Sequence, residues 1–259
     1  MLSTHQTAGA QTDIAVVNGD PNKHTSRRAA HGDRKTATVV GVLFITATVA
    51  NILSTSLTRS LVTAPDYLRS LSASGSQILV GALLALIAAL ASAGIAIPLY
   101  PVLRRYNEGL ALGSVGFRLI EGVFYIVDIV GLLSLLALSQ AFVKAGTPGD
   151  SYFQTVGTLI QAGREWVNFV LAVSAFSLGA LLYYAVFYQS RLIPRWLAGW
   201  GVLGAACSLG AAICILFGLA PYSLPMIVLI LPIAVQEMVL AIWLIVKGFR
   251  APASASRPA

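Results

Sequence analysis

GFRLIEGVFYIVDIVG (residues 116–131) decides how the chain is read, because Leu, Ile, Val and Phe cover most of its surface while Arg118, Glu121 and Asp128 sit in its middle. It lies inside an apolar run from about 110 to 139. Crossing a hydrocarbon core of roughly 30 Å takes about 20 helical residues, so that run reads as a membrane span. Five more runs share its character, at about 36–57, 77–100, 166–188, 197–219 and 225–246, with polar or Pro/Gly-rich breaks between them. The chain of 259 residues is 57% hydrophobic and only 10% charged, whereas soluble domains are about a quarter charged. The expectation is an all-α polytopic membrane protein, a six-helix bundle over residues 34–250.

Residues 1–33 are polar and too poor in apolar side chains to build a core, so a disordered basic tail is expected there. Residues 251–259 read as a short flexible C-terminal tail. The only apolar stretch before the first span is the short IAVV, which does not make a signal peptide. The first span is therefore expected to remain as an anchor.

Cytoplasmic loops retain Lys and Arg during insertion. Lys23, Arg27, Arg28, Arg34, Lys35, Arg104, Arg105, Arg191, Arg195, Lys247, Arg250 and Arg257 fall on one side of the six spans, against Arg59, Arg69, Lys144 and Arg164 on the other. Both termini are therefore expected in the cytoplasm. This bias accounts for the net charge of +7, and the tail should attract anionic lipid head groups. The basic residues flank spans without interleaved aromatics, which argues against nucleic acid as a partner.

Two outer loops, 65–77 and 150–166, carry Tyr67, Leu68 and Leu71, then Phe153, Val156 and Ile160, at near-helical spacing. They read either as short interfacial helices or as extensions of spans two and four. Ala206, Gly210, Cys214 and Gly218 form a four-residue ridge on span five, and Gly81, Ala85, Ala89 and Ala93 one on span two. Such ridges are where helices approach closely in lipid. Pro98 and Pro101 are expected to end span two, and Pro225 to start span six with a possible kink at Pro232. Cys207 and Cys214 stand about 10 Å apart along one helix, too far for a disulfide.

Ser114, Arg118, Glu121, Tyr125 and Asp128 recur every three or four residues, so they share one stripe of span three. Each central charge costs about 2.5–3.5 kcal/mol on insertion scales, while a large apolar residue returns about 0.3–0.6. The stripe must therefore face the bundle interior. Arg118 and Glu121 are placed to pair at i, i+3. Glu237, next to Gln236 in span six, lies as deep from the same side as Arg118, about 12–14 Å, so the two are expected to meet. Asp128 sits nearer the outer side with no cation at its depth in any of the six runs. It should be protonated or wet, with Asn51 and Asn168 as neighbours. Two readings stay open for this interior: an ion-paired pin that fixes helix register, or a polar site for an ion, proton or small solute.

His5, His24 and His31 all precede the first span, so no histidine serves a hydrolytic dyad or a metal site within the membrane. No paired aspartates, phosphate loop, dinucleotide fingerprint or zinc spacing is present. No catalytic residue, metal or cofactor is expected.

YYAVFYQSRLIPRWLAGWGVLGA (183–205) resembles a bacterial six-span family known as domain of unknown function 4386. RKTATVVGVLFITATVANIL (34–53), FRLIEG (117–122) and QEMVLAIWLIVKGFR (236–250) resemble its other segments. The resemblance implies the six-span architecture, and it carries no activity or catalytic residues over. Within SRLIPRW, Pro194 breaks the helix, Arg191 and Arg195 suit head groups, and Trp196 suits an interface anchor. The functional expectation is a non-enzymatic membrane module that binds or senses a lipid, solute or partner. A small proton- or cation-coupled transporter is the alternative, and a lipid-modifying enzyme a weaker one.

Overall fold

The computed structural model describes residues 21–146 and 150–250, with side chains from Asp33 onward except at Asp150. Among them the helices are α1 (Pro21–Val62), α2 (Tyr67–Ala73), α3 (Gly75–Leu103), α4 (Glu108–Ala145), α5 (Asp150–Glu165), a π-helical segment (Trp166–Ala172), α6 (Val173–Ser190), α7 (Arg195–Leu216) and α8 (Leu224–Val246). Six helical stretches are long and apolar enough to cross a membrane: Asp33–Val62, Gly75–Leu103, Glu108–Ala145, Ser151–Ser190, Arg195–Leu216 and Leu224–Val246. The six expected spans are all present; each begins earlier than expected, and all but the fifth, which stops at Leu216 short of 219, reach or pass their expected ends. In hydrocarbon a helix that stops early strands backbone polar groups, so it continues until water or a turn satisfies them.

That physics corrects two expectations. α1 begins at Pro21, inside the stretch expected as a disordered tail, because the Lys, Arg and Ala residues there propagate a helix already nucleated by the span. Residues 1–20 and the expected tail 251–259 lie outside the described residues. Pro98 and Pro101 do not end the second span, which runs through both to Leu103. The two outer loops differ from each other. The first folds as α2, a separate helix with Tyr67, Leu68 and Leu71 buried, while the second is α5, continuous with the fourth span.

The spans pack as a ring, α1 beside α3, then α4, α6, α7, α8 and back to α1. Its main core, including Phe44, Leu99, Tyr183, Phe187, Leu197 and Leu240, lies toward the Arg191 turn. A second core, with Leu68, Leu71, Ile78, Leu132 and Leu135, lies under α2. These define an Arg191 face and an α2 face. Near the Arg191 face α1 and α8 touch closely, since a Cβ on Gly41 would come within 2.7 Å of the Ala241 carbonyl oxygen. Arg34 there donates to the Ile245 and Val246 carbonyls at 2.9 Å, capping the C-terminal end of α8. Toward the α2 face Leu224, Ile227, Val228 and Leu231 of α8 are exposed.

The small-residue ridge of α7 is also corrected. Ala206, Cys214 and Gly218 are exposed, and a Cβ on Gly210 would meet nothing within 4 Å. The contact face is Gly201, Gly204, Ala205, Ser208, Ala211 and Ala212, all buried; Gly201 packs under the Tyr184 ring and Gly204 against the Ile233 backbone. Four-residue spacing of small residues occurs on both faces, so spacing alone does not select one. The α3 ridge does pack inward, with Gly81 against Thr58 and Ala93 against Gly122.

Candidate functional site: a split polar interior

Toward the Arg191 face Arg118 stands at the centre of the ring, 2% exposed. Its Nη1 donates to Glu121 Oε2 at 3.1 Å and to Ser92 Oγ at 2.9 Å. Its Nη2 donates to Glu237 Oε1 at 3.2 Å and to the Tyr183 hydroxyl at 3.1 Å. The Ser92 hydroxyl donates to Glu121 Oε1 at 2.8 Å, and Tyr183 donates to Glu237 Oε1 at 3.2 Å. The guanidinium also lies 5.0 Å from the Phe176 ring centroid and 5.6 Å from that of Phe44, within cation–π range. One arginine of α4 therefore ties together α1, α3, α6 and α8. Its Nε has no partner among the described residues.

Both predicted partners of Arg118 are in place. Gln236 is completely buried but points the other way, accepting from the Tyr184 hydroxyl and donating to the Leu197 carbonyl at 3.0 Å. It joins α7 to the network instead of lining the Arg118 pocket. Residues 236 and 237 are adjacent and so lie about 100° apart around α8, which is why they face different neighbours. Ser92 and Tyr183 were missed by the sequence reading, although counting depth from the Arg191 face brings both near Arg118.

Toward the α2 face the expectation of an unpaired Asp128 is overturned. Arg164 lies 3.1 Å from Asp128 Oδ1 through Nε, and its Nη2 donates to Oδ2 at 3.2 Å. Its Nε also donates to the Asp128 carbonyl oxygen at 3.2 Å. Arg164 was assigned to a loop because apolar character in the fourth span starts at Trp166. The continuous helix carries it to the bundle wall, where its stem also packs across Gly131. The π-helical segment begins two residues later and turns Asn168 against the Asp128 carboxylate. π-Helical turns are rare and concentrate at functional sites. Tyr125, between the two clusters, is half-buried.

Asn51 is exposed and makes no hydrogen bond to Asp128. It lines a groove of about 600 Å³ together with Thr55 and Arg59 of α1, Asn168 and Phe169 of the π-helical segment, and Tyr222 of the α7–α8 turn. The Arg59 guanidinium lies 3.9 Å from the Tyr222 ring centroid. Burial raises the Tyr222 hydroxyl above its ordinary pKa, with Arg59 opposing the shift, so the phenol is a neutral donor at physiological pH. Neither Arg59 nor Tyr222 was singled out from the sequence, because a loop-end arginine reads as a surface charge.

At the turn between α6 and α7, Arg191 takes a left-handed φ of 56° and caps α6. Pro194 precedes the first turn of α7, and Arg195 and Trp196 are exposed. Leu192 and Ile193 between them are buried, and the Leu192 carbonyl accepts from the Arg250 backbone N–H at 2.8 Å. These residues make a fixed, exposed basic–aromatic corner, as an interface anchor requires.

Six apolar spans around a buried ion-paired interior define a multi-pass helical membrane protein. The chain belongs to the family described as domain of unknown function (DUF4386), whose model matches residues 39–248. Neither a curated relative nor a solved structure matches it.

Proposed function

We propose that this protein is a non-enzymatic module of a bacterial plasma membrane that binds or senses a lipid or small solute at the α2-face end of its polar interior. One observation carries the reading. The side chains of the Arg118 cluster, its Nε apart, hydrogen-bond to one another, whereas the Asp128–Arg164 wall adjoins, through Asn168, a groove in which Asn51, Thr55 and Arg59 have no hydrogen-bond partner among the described residues. Polar groups at membrane depth that lack protein partners call for water or a ligand. The Lys/Arg bias supports cytoplasmic termini, which puts the α2 face outside, and the basic residues before Thr36 would bind anionic lipid on the inner leaflet.

Mass spectrometry of small molecules that co-purify with the full chain tests this. Wild type should carry a bound species that Asp128→Asn and Asn168→Leu lose by about tenfold while remaining monodisperse. Equal retention in all three proteins counts against it.

A second reading, proton- or cation-coupled transport, draws on a different observation: Arg118 faces both Glu121 and Glu237. Two carboxylates for one guanidinium leave an excess negative charge that a proton or small cation would balance. Ion flux in liposomes that is unchanged by Glu237→Gln would rule against it.

A further inference from the structure

Arg59 is the one charged residue lining the groove between α1 and the π-helical segment. No acidic side chain pairs with it among the described residues. Its position is nevertheless fixed, because the guanidinium stacks on Tyr222 at 3.9 Å. Tyr222 itself is held at a φ of 60°, in the left-handed region that a residue with a Cβ disfavours. Its backbone N–H donates to the Met226 sulfur at 2.9 Å. Backbone strain of this kind persists where the surroundings over-determine it, often at ligand clamps.

Depth then separates the polar groups. Arg59 lies three residues from the end of α1 at Val62, about 5 Å along the axis and thus at head-group level. Thr55 and Asn51 follow at successive four-residue steps on the same face, about 6 and 12 Å deeper. Ile52 and Phe169 add apolar wall beside them. A cation at the interface, neutral donors one and two turns below it and apolar wall alongside follow the order of phosphate, glycerol–ester region and acyl chain in a phospholipid. A free phosphate would engage Arg59 and leave Thr55 and Asn51 without partners.

We propose that this groove binds one anionic phospholipid, with Arg59 on the phosphate and Thr55 and Asn51 on the glycerol and ester oxygens beneath it. This names the ligand class for the binding function proposed above and rests on it. The site differs from the attraction expected at the basic N-terminal segment, since it lies on the opposite face and is stoichiometric.

The full chain is reconstituted in nanodiscs of equimolar phosphatidylcholine and phosphatidylglycerol, released and weighed by native mass spectrometry. Wild type and Lys144→Gln, which removes an exposed charge from the same face, should retain a single phosphatidylglycerol. Arg59→Gln should lose it by about tenfold, with Arg59→Lys intermediate and all thermal midpoints alike. Retention by Arg59→Gln equal to wild type overturns the proposal. Displacement of the lipid by millimolar inorganic phosphate also overturns it, assigning the groove to a soluble anion. If wild type instead retains phosphatidylcholine as well as phosphatidylglycerol and Asn51→Leu loses both, the anionic assignment fails while the binding function stands.

Discussion

Arg118 is one cation shared by two carboxylates, and both the cost and the remedy of removing it follow from that count. Arg118→Met leaves Glu121 and Glu237 facing each other without a counter-charge in a closed site. Breaking a buried pair in this way costs about 3–5 kcal/mol, whereas replacing every member by neutral residues of similar volume is often neutral. The single variant should therefore lose most of its folded yield in detergent. Adding Glu121→Gln and Glu237→Gln should restore a thermal midpoint close to wild type. A triple variant as unstable as the single one would show that Arg118 acts through packing on Phe44 and Phe176 and not through charge. The sequence made the Arg118–Glu237 pair visible because both are rare charges at matching depth. Ser92 and Tyr183 complete the same site but are ordinary residues in apolar helices, and nothing in their local pattern marks them.

Single elements make sharper tests of what spacing can and cannot say. Gly204 and Gly210 both lie on α7, yet a Cβ at Gly204 would stand 3.0 Å from the Ile233 backbone and one at Gly210 would meet nothing within 4 Å. Gly204→Val should thus destabilise the bundle by about 1–3 kcal/mol, the usual cost of overpacking, while Gly210→Val leaves the thermal midpoint unchanged. Equal effects would mean that Gly204 does not face α8 in the folded bundle. The π-helical segment supplies a second test. A π-helical turn already takes up one residue more than an α-turn, so inserting an alanine after Val167 adds a further residue and should turn Arg164 by about 100° away from Asp128. A double-mutant cycle of Asp128→Asn with Arg164→Gln should then show coupling of roughly 0.5–3 kcal/mol in the parent and none in the insertion background. Asp128 was expected to be unpaired because the apolar run of its partner's span begins two residues after Arg164. Hydropathy reports where lipid is, and a helix ends where its backbone hydrogen bonds end.

Across the whole molecule, the number and order of the spans were legible because each must present about 20 apolar residues to lipid whatever it packs against. The ring order was not, since lipid-facing and helix-facing positions are apolar alike and periodicity fades once both sides are oily. The direction of insertion rests on the asymmetry of Lys and Arg, and it has a direct readout. Lys144 ends α4 on the α2 face, and Arg191 caps α6 on the opposite one; both are exposed. With Cys207 and Cys214 replaced by Ser, Lys144→Cys should react with a membrane-impermeant maleimide on intact cells. Arg191→Cys should react only after lysis. Cys214 must be removed because its side chain is exposed, and Cys207 because partial exposure would blur the contrast. The reverse labelling pattern would place the Arg59 groove in the inner leaflet. The basic N-terminal segment would then lie outside, against the distribution of positive charge that insertion favours.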